Sequence, residues 1–185
     1  KYPARTKSPG PGSQLKSSED TIAEALKDNG YSTFIAGKWH LSRGNSGSSP
    51  EEQGFDQNYG GGDSGVPKSY FYPYNIQTRG RGNENAPDIT KLPEVEKGYH
   101  LTDQLTDLTL DWIDKNYVSK KSKKPFFIYL SHYEVHTPFE GKLDLEEKYK
   151  AKAERLYEGK NLKNPFSFES TTCLLYTSPS TRDRI

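Results

Sequence analysis

The stretch that most constrains this chain is Gly30-Tyr31-Ser32-Thr33-Phe34-Ile35-Ala36-Gly37-Lys38-Trp39-His40. Ser32 to Ala36 is a short run with β-branched and aromatic residues bounded by glycines, which predicts a buried strand. Gly37 releases the backbone at the strand's C-terminal end, where ligands bind in open α/β sheets. Lys38 brings a compact positive charge with three donors, and His40 a donor or proton carrier near neutral pH. Alternation along an extended end places Lys38 and His40 on one side and Trp39 on the other. That pair suits an oxyanion such as sulfate or phosphate. Taken alone, the residues also fit a strand end whose polar groups serve no ligand.

The flanking segments extend the pattern. Asp20 to Asn29 predicts an amphipathic helix that covers the sheet beside strand 32–36. Asp20 or Thr21 can cap it, Glu24 is a capping-box partner, and Ile22, Ala25 and Leu26 form its stripe. Leu41 to Glu96 reads as mostly irregular and glycine-rich, interrupted by the aromatic island Tyr70-Phe71-Tyr72-Pro73-Tyr74. That island either stacks on a sugar or pins the loop to the body. Gly60-Gly61-Gly62 lacks the strand–turn–helix setting of a phosphate loop. Leu101 to Tyr117 predicts a helix through Leu101, Leu105, Leu108, Trp112 and Ile113, with Asp103, Asp107, Asp111 and Asp114 read as a solvated face.

Pro125 to Ser131 is a nearly continuous apolar run, which predicts a central strand covered on both faces. His132-Tyr133-Glu134-Val135-His136-Thr137-Pro138 leaves its C-terminal end. His132 and His136 have the spacing of zinc ligands on a helix, but the preceding strand and Pro138 exclude a helix there. Leu143 to Tyr157 predicts a charged surface helix.

The segment Gly30–Leu41 resembles the second signature of the type I sulfatases, the formylglycine-dependent sulfuric ester hydrolases. The preceding helix, Gly54-Phe55-Asp56 and the His-Thr-Pro at 136–138 are similar to segments of that family in the same order. The resemblance spans about residues 1 to 170. It implies an α/β fold, part of an alkaline-phosphatase-like domain with a mixed, mostly parallel sheet flanked by helices and rich in loops. It implies a catalytic set of Lys38, His40 and His136. Lys38 would stabilise charge on the transferring sulfuryl group, and His40 would bond the formylglycine hydroxyl and help release sulfate. His136 would contact sulfate and protonate the leaving alcohol. His132 takes a structural or supporting place.

The same resemblance implies calcium and formylglycine, with the nucleophile and the aspartate ligands expected outside residues 1–185. Lys1-Tyr2-Pro3-Ala4-Arg5-Thr6 is similar to a segment just downstream of the nucleophile motif, so Arg5 is not that motif's arginine. The expected substrate is a sulfated carbohydrate or aryl sulfate ester, the expected location periplasmic or secreted, and the isolated chain is expected to be inert. A phosphomonoesterase or phosphodiesterase of the alkaline-phosphatase-like superfamily and a non-catalytic carbohydrate-binding relative are the alternatives.

Composition narrows these classes. Apolar residues make up 31% of the chain. Adding the 16 glycines still leaves it short of the roughly 45–50% usual for a globular domain. A loop-rich part of a larger protein fits that balance. Net charge is +1 with no basic stripe, which excludes nucleic acid as the natural partner. No run is long and apolar enough to span a membrane. Cys173 is the single cysteine, so internal disulfides and thiol metal sites are excluded. Residues 1–171 are expected to form a partial catalytic domain. Residues 172–185 resemble the translation of a sequencing adapter and are expected to be a non-native tail.

Overall fold

The computed structural model describes residues 14–42, 47–76, 85–120 and 122–157. The suspected tail and Lys1 to Thr6 lie outside the described residues.

Helix α1 spans Ile22–Asp28. Thr21 caps it reciprocally with Glu24: the Glu24 N–H donates to the Thr21 hydroxyl at 3.2 Å, and the Thr21 N–H donates to the Glu24 carboxylate at 2.9 Å. Its buried residue is Ala23, while Ile22 is 64% exposed, so the expected stripe of Ile22, Ala25 and Leu26 is corrected. Close approach decides the face. A Cβ on Gly54 would stand 2.4 Å from the Glu24 nitrogen, and only a small residue fits where the helix presses on Ile35 and Phe55.

Strand β1 spans Ser32–Gly37 and is almost wholly buried. Strand β2, Gln57–Tyr59, was not anticipated within the irregular stretch. Its three residues are too few for periodicity to show, and pairing with β1 defines it. Helix α2 covers Leu101–Ile113 and runs into a wider turn over Asp114–Val118. Strand β3 is Phe126–Ser131, and the charged helix α3 spans Leu143–Tyr157.

The sheet order is β2-β1-β3, all parallel. In register, Phe34 lies opposite Ile128 and Gly37 opposite Ser131. The apolar run 125–131 therefore forms a strand, but an outer one of the described sheet. Phe126, Tyr129 and Leu130 are 42%, 44% and 37% exposed, which corrects the expectation of a central, doubly covered strand. The central place belongs to β1, because it pairs on both edges.

The two faces of β1 bury different partners, as the two-residue period requires. Phe34 and Ala36 join Leu101 and Leu105 of α2 with Tyr70, Tyr74, Ile89 and Tyr133. Ile35 packs with Ala23 and Phe55 under α1. Tyr70 and Tyr74 are 1% and 4% exposed, so the aromatic island is chiefly core. The aspartates of α2 and the turn after it each have a separate partner: Asp103 with Lys142, Asp107 with Tyr99, Asp111 with Lys115, and Asp114 with Ser119. That dispersal matches a solvated face. No described helix is long and apolar enough to cross a membrane.

Candidate active site

Parallel pairing sends the C-terminal ends of all three strands to one edge. Lys38, Trp39 and His40 leave β1 there, Gly60 to Gly62 follow β2, and His132 to His136 follow β3. At Gly37 the β1 and β3 backbones nearly touch. A Cβ on Gly37, whose φ is 106°, would stand 1.9 Å from the Ser131 carbonyl oxygen. The Lys38 N–H donates to that carbonyl at 2.6 Å, so the lysine leaves the sheet at a fixed point. Lys38 is half-buried, and burial pushes its ammonium below the usual lysine value. A desolvated cation of this kind gains more from an anion beside it than a surface lysine does.

Trp39 turns to the α1 face, edge-on to Phe55, and its indole N–H donates to the Ser48 carbonyl at 2.8 Å. His40 departs from the expected alternation. Its φ is 58°, so the pleat has ended before it, and its side is set by its contacts. Its N–H donates to the Gly62 carbonyl at 2.9 Å. That bond ties the β1 end to the glycine turn after β2, and the Tyr133 hydroxyl donating to the Gly60 carbonyl at 2.8 Å ties that turn to β3. All three strand ends are thus joined.

His136 is exposed, in a turn where its N–H donates to the Tyr133 carbonyl at 3.1 Å. Its Nδ1 lies 3.1 Å from the Thr137 hydroxyl. The Tyr70 hydroxyl donates to the His136 carbonyl at 2.9 Å. Glu140, buried behind the turn, accepts from the Ser69 hydroxyl at 2.8 Å and the Tyr70 N–H at 2.7 Å. Glu134 accepts from the Thr102 hydroxyl, and its carboxylate lies 3.9 Å from His100 Nδ1, too far for a hydrogen bond. Glu134, Glu140 and His100 were missed by sequence reasoning. A single glutamate in a loop gives no periodic signal, and only folding reveals its burial. His132 is half-buried with no hydrogen-bond partner at Nδ1.

Among the described residues, no three His, Cys, Asp or Glu side chains stand together as metal ligands. Calcium takes roughly six to eight oxygen ligands, so the residues described do not by themselves form its site.

A parallel sheet with polar groups gathered at its carboxyl edge defines an open α/β domain with its candidate site at that edge. The crystal structure of Ps i-CgsB shares that fold, with a TM-score of 0.55 at 24% identity over 90% of this chain and 35% of that one. Its complex with k-i-k-neocarrahexaose aligns with a TM-score of 0.52 at 23% identity, over 77% of this chain and 32% of that one. A family model described as Sulfatase matches residues 1–180, and the chain belongs to the sulfatase family. It is 31% identical over 142 residues to the arylsulfatase of Hemicentrotus pulcherrimus, covering 66% of this chain and 23% of that protein. It is 29% identical over 136 residues to the N-acetylgalactosamine-6-sulfatase of Mus musculus, covering 67% of this chain and 24% of that protein. The chain thus spans less than a quarter of the length of these relatives.

Proposed function

We propose that the protein to which these residues belong is a sulfuric ester hydrolase acting on a sulfated carbohydrate or an aryl sulfate, and that Lys38, His40 and His136 are the catalytic residues this chain contributes. The observation that carries the reading is the in-register pairing of Gly37 with Ser131, which sends Lys38, His40 and the His136 turn to the same sheet edge in a member of the sulfatase family. The relatives named arylsulfatase and N-acetylgalactosamine-6-sulfatase support both substrate types.

The roles follow from chemistry. Lys38, desolvated and fixed at its backbone, neutralises charge on the sulfate oxygens as it grows in the transition state. His40, at the same sheet edge, would bond the formylglycine hydroxyl and help release sulfate, since an imidazole can carry a proton near neutral pH. His136, exposed on its turn, would contact sulfate and protonate the departing alcohol oxygen. Formylglycine and calcium, the groups the family resemblance implies, would be supplied from outside this chain. The isolated chain therefore binds an anion at most and does not turn over. Export to the periplasm or cell exterior is part of the same proposal.

The test starts with the coding sequence ahead of Lys1. A Cys- or Ser-x-Pro-x-Arg motif is expected there. The complete protein, produced with formylglycine-generating activity, should hydrolyse 4-nitrocatechol sulfate or a sulfated oligosaccharide. Replacing Lys38, His40 or His136 with alanine should lower kcat by roughly 100-fold or more. A complete protein that cleaves phosphate esters and ignores sulfate esters would overturn the reading, as would turnover by the purified 185-residue chain.

A further inference from the structure

His40 is held neither by the strand ladder nor by the turn after β3 that carries His136. β1 ends at Gly37, and by His40 the backbone has a left-handed φ of 58°. Its ring is placed by the loop that follows β2. The Gly62 carbonyl accepts the His40 N–H at 2.9 Å. The imidazole lies flat against Gly65: a Cβ built there would stand 2.3 Å from Cε1, 2.5 Å from Nδ1 and 2.7 Å from Nε2.

Gly65 differs from Gly37, Gly54 and Gly60, and whereas Gly61 and Gly141 also face side chains, those of Asn58 with Pro50 and of Glu146, neither meets a proposed catalytic residue. A Cβ on Gly37 or Gly54 would strike backbone, and one on Gly60 would meet apolar core side chains. At Gly65 the nearest three atoms all belong to the His40 ring, and its φ lies outside the left-handed region. The backbone at 65 therefore accepts an L-residue, and the ring is what excludes it. The loop cannot readily retreat. Gly65 is buried, and the Ser64 hydroxyl bridges across it by donating to the Val66 carbonyl at 2.7 Å.

We propose that Gly65 is a positioning residue for His40: its bare Cα is the floor on which the imidazole rests, and together with the Gly62 carbonyl it fixes the ring for the sulfate-ester reaction. This rests on the catalytic reading of His40. His40 is otherwise exposed, and the contact with backbone on one ring face favours one rotamer before substrate arrives, which lessens the reorganisation the reaction must bear. A methyl group at 65 forces the ring to move by about 1 Å, a displacement that costs on the order of 100-fold when a catalytic group must be held in place.

The sequence holds four histidines, at 40, 100, 132 and 136, so imidazole resonances can be followed singly in the 185-residue chain. In Gly65→Ala, the His40 Cε1–Hε1 resonance is expected to move while those of His100, His132 and His136 stay. Glycine accepts the φ of 58° and removes the ring, so Gly65→Ala added to His40→Gly is expected to leave the urea midpoint of His40→Gly unchanged. In the complete enzyme, Gly65→Ala is expected to lower kcat roughly 10- to 100-fold with little change in KM. A His40 resonance unmoved in Gly65→Ala would overturn the proposal, as would equal destabilisation by Gly65→Ala with and without the ring. If the complete protein does not cleave sulfate esters, the catalytic reading fails, and the resonance and double-variant measurements still decide whether Gly65 positions His40.

Discussion

Gly37→Ala tests the junction from which the whole edge is built. Two costs combine at this position. The φ of 106° lies in a region that L-residues rarely adopt, worth about 1–3 kcal/mol. The new Cβ would also stand 1.9 Å from the Ser131 carbonyl oxygen, and neither strand backbone can yield without breaking register. Parting the strands loses the Lys38 N–H to Ser131 carbonyl bond, about 1 kcal/mol, and some packing around it. The sum is roughly 3–5 kcal/mol.

Gly30→Ala is the matched control. Gly30 also has a positive φ, 84°, but a Cβ there would meet nothing within 4 Å. Its cost is the backbone alone, about 1–2 kcal/mol. With a urea slope of about 2 kcal/mol/M, the midpoint should fall by roughly 2 M for Gly37→Ala and by less than about 1 M for Gly30→Ala. Urea unfolding followed by tryptophan fluorescence reads both, since Trp39 and Trp112 lie on opposite sides of the sheet. Equal midpoint shifts in the two variants would refute the close approach of β1 and β3.

Four further outcomes are expected. Burial pushes the Asp56 carboxyl up, but hydrogen bonds from Lys27 and the Thr33 N–H outweigh it and hold the group below the usual carboxylate value. Asp56→Ala should therefore cost about 1–2 kcal/mol near neutral pH; the gap should persist above the unfolded carboxylate value of about 4 and close as pH falls through the lower folded value, and a gap unchanged in strong acid would contradict this. For Lys38 the sign reverses: its ammonium is depressed by burial, so Lys38→Met should leave stability unchanged or raise it at neutral pH, with any gain fading as pH rises through the depressed value toward 10.5. Tyr133→Phe removes the bond to the Gly60 carbonyl and leaves that carbonyl unpaired, for a loss of about 1–2 kcal/mol in urea unfolding. Phe34→Ala empties the fully buried site between Tyr59 and Trp112 and should cost about 3–5 kcal/mol by the same measurement.

Much of this architecture was legible before folding, where local chemistry and local structure coincide. The Thr21–Glu24 box set the start of α1, the glycine-bounded run gave β1, and Leu101 and Leu105 marked the buried face of α2. The carboxyl edge was legible for the same reason: Lys38 and His136 follow apolar runs whose strand character is a local property. The misses share the opposite cause. Ala23 rather than Ile22 is buried because Gly54 draws the helix backbone close, a contact between residues about 30 positions apart. β3 reads as a core strand by composition, but composition does not say on which side a strand finds a partner.

The sequence alone determined α1, β1, α2, β3 and α3, the family motifs and the residue types available for charge and proton handling, because these depend on neighbours within a turn or a pleat, whereas β2 exists only through its pairing with β1. Tertiary structure alone decided the rest: that Gly37 meets Ser131, that Tyr70 and Glu140 hold the His136 turn, and that His40 lies on Gly65. Each of these is a contact between backbone or buried polar groups far apart in sequence. Its energy exists only once water is gone and both partners are fixed.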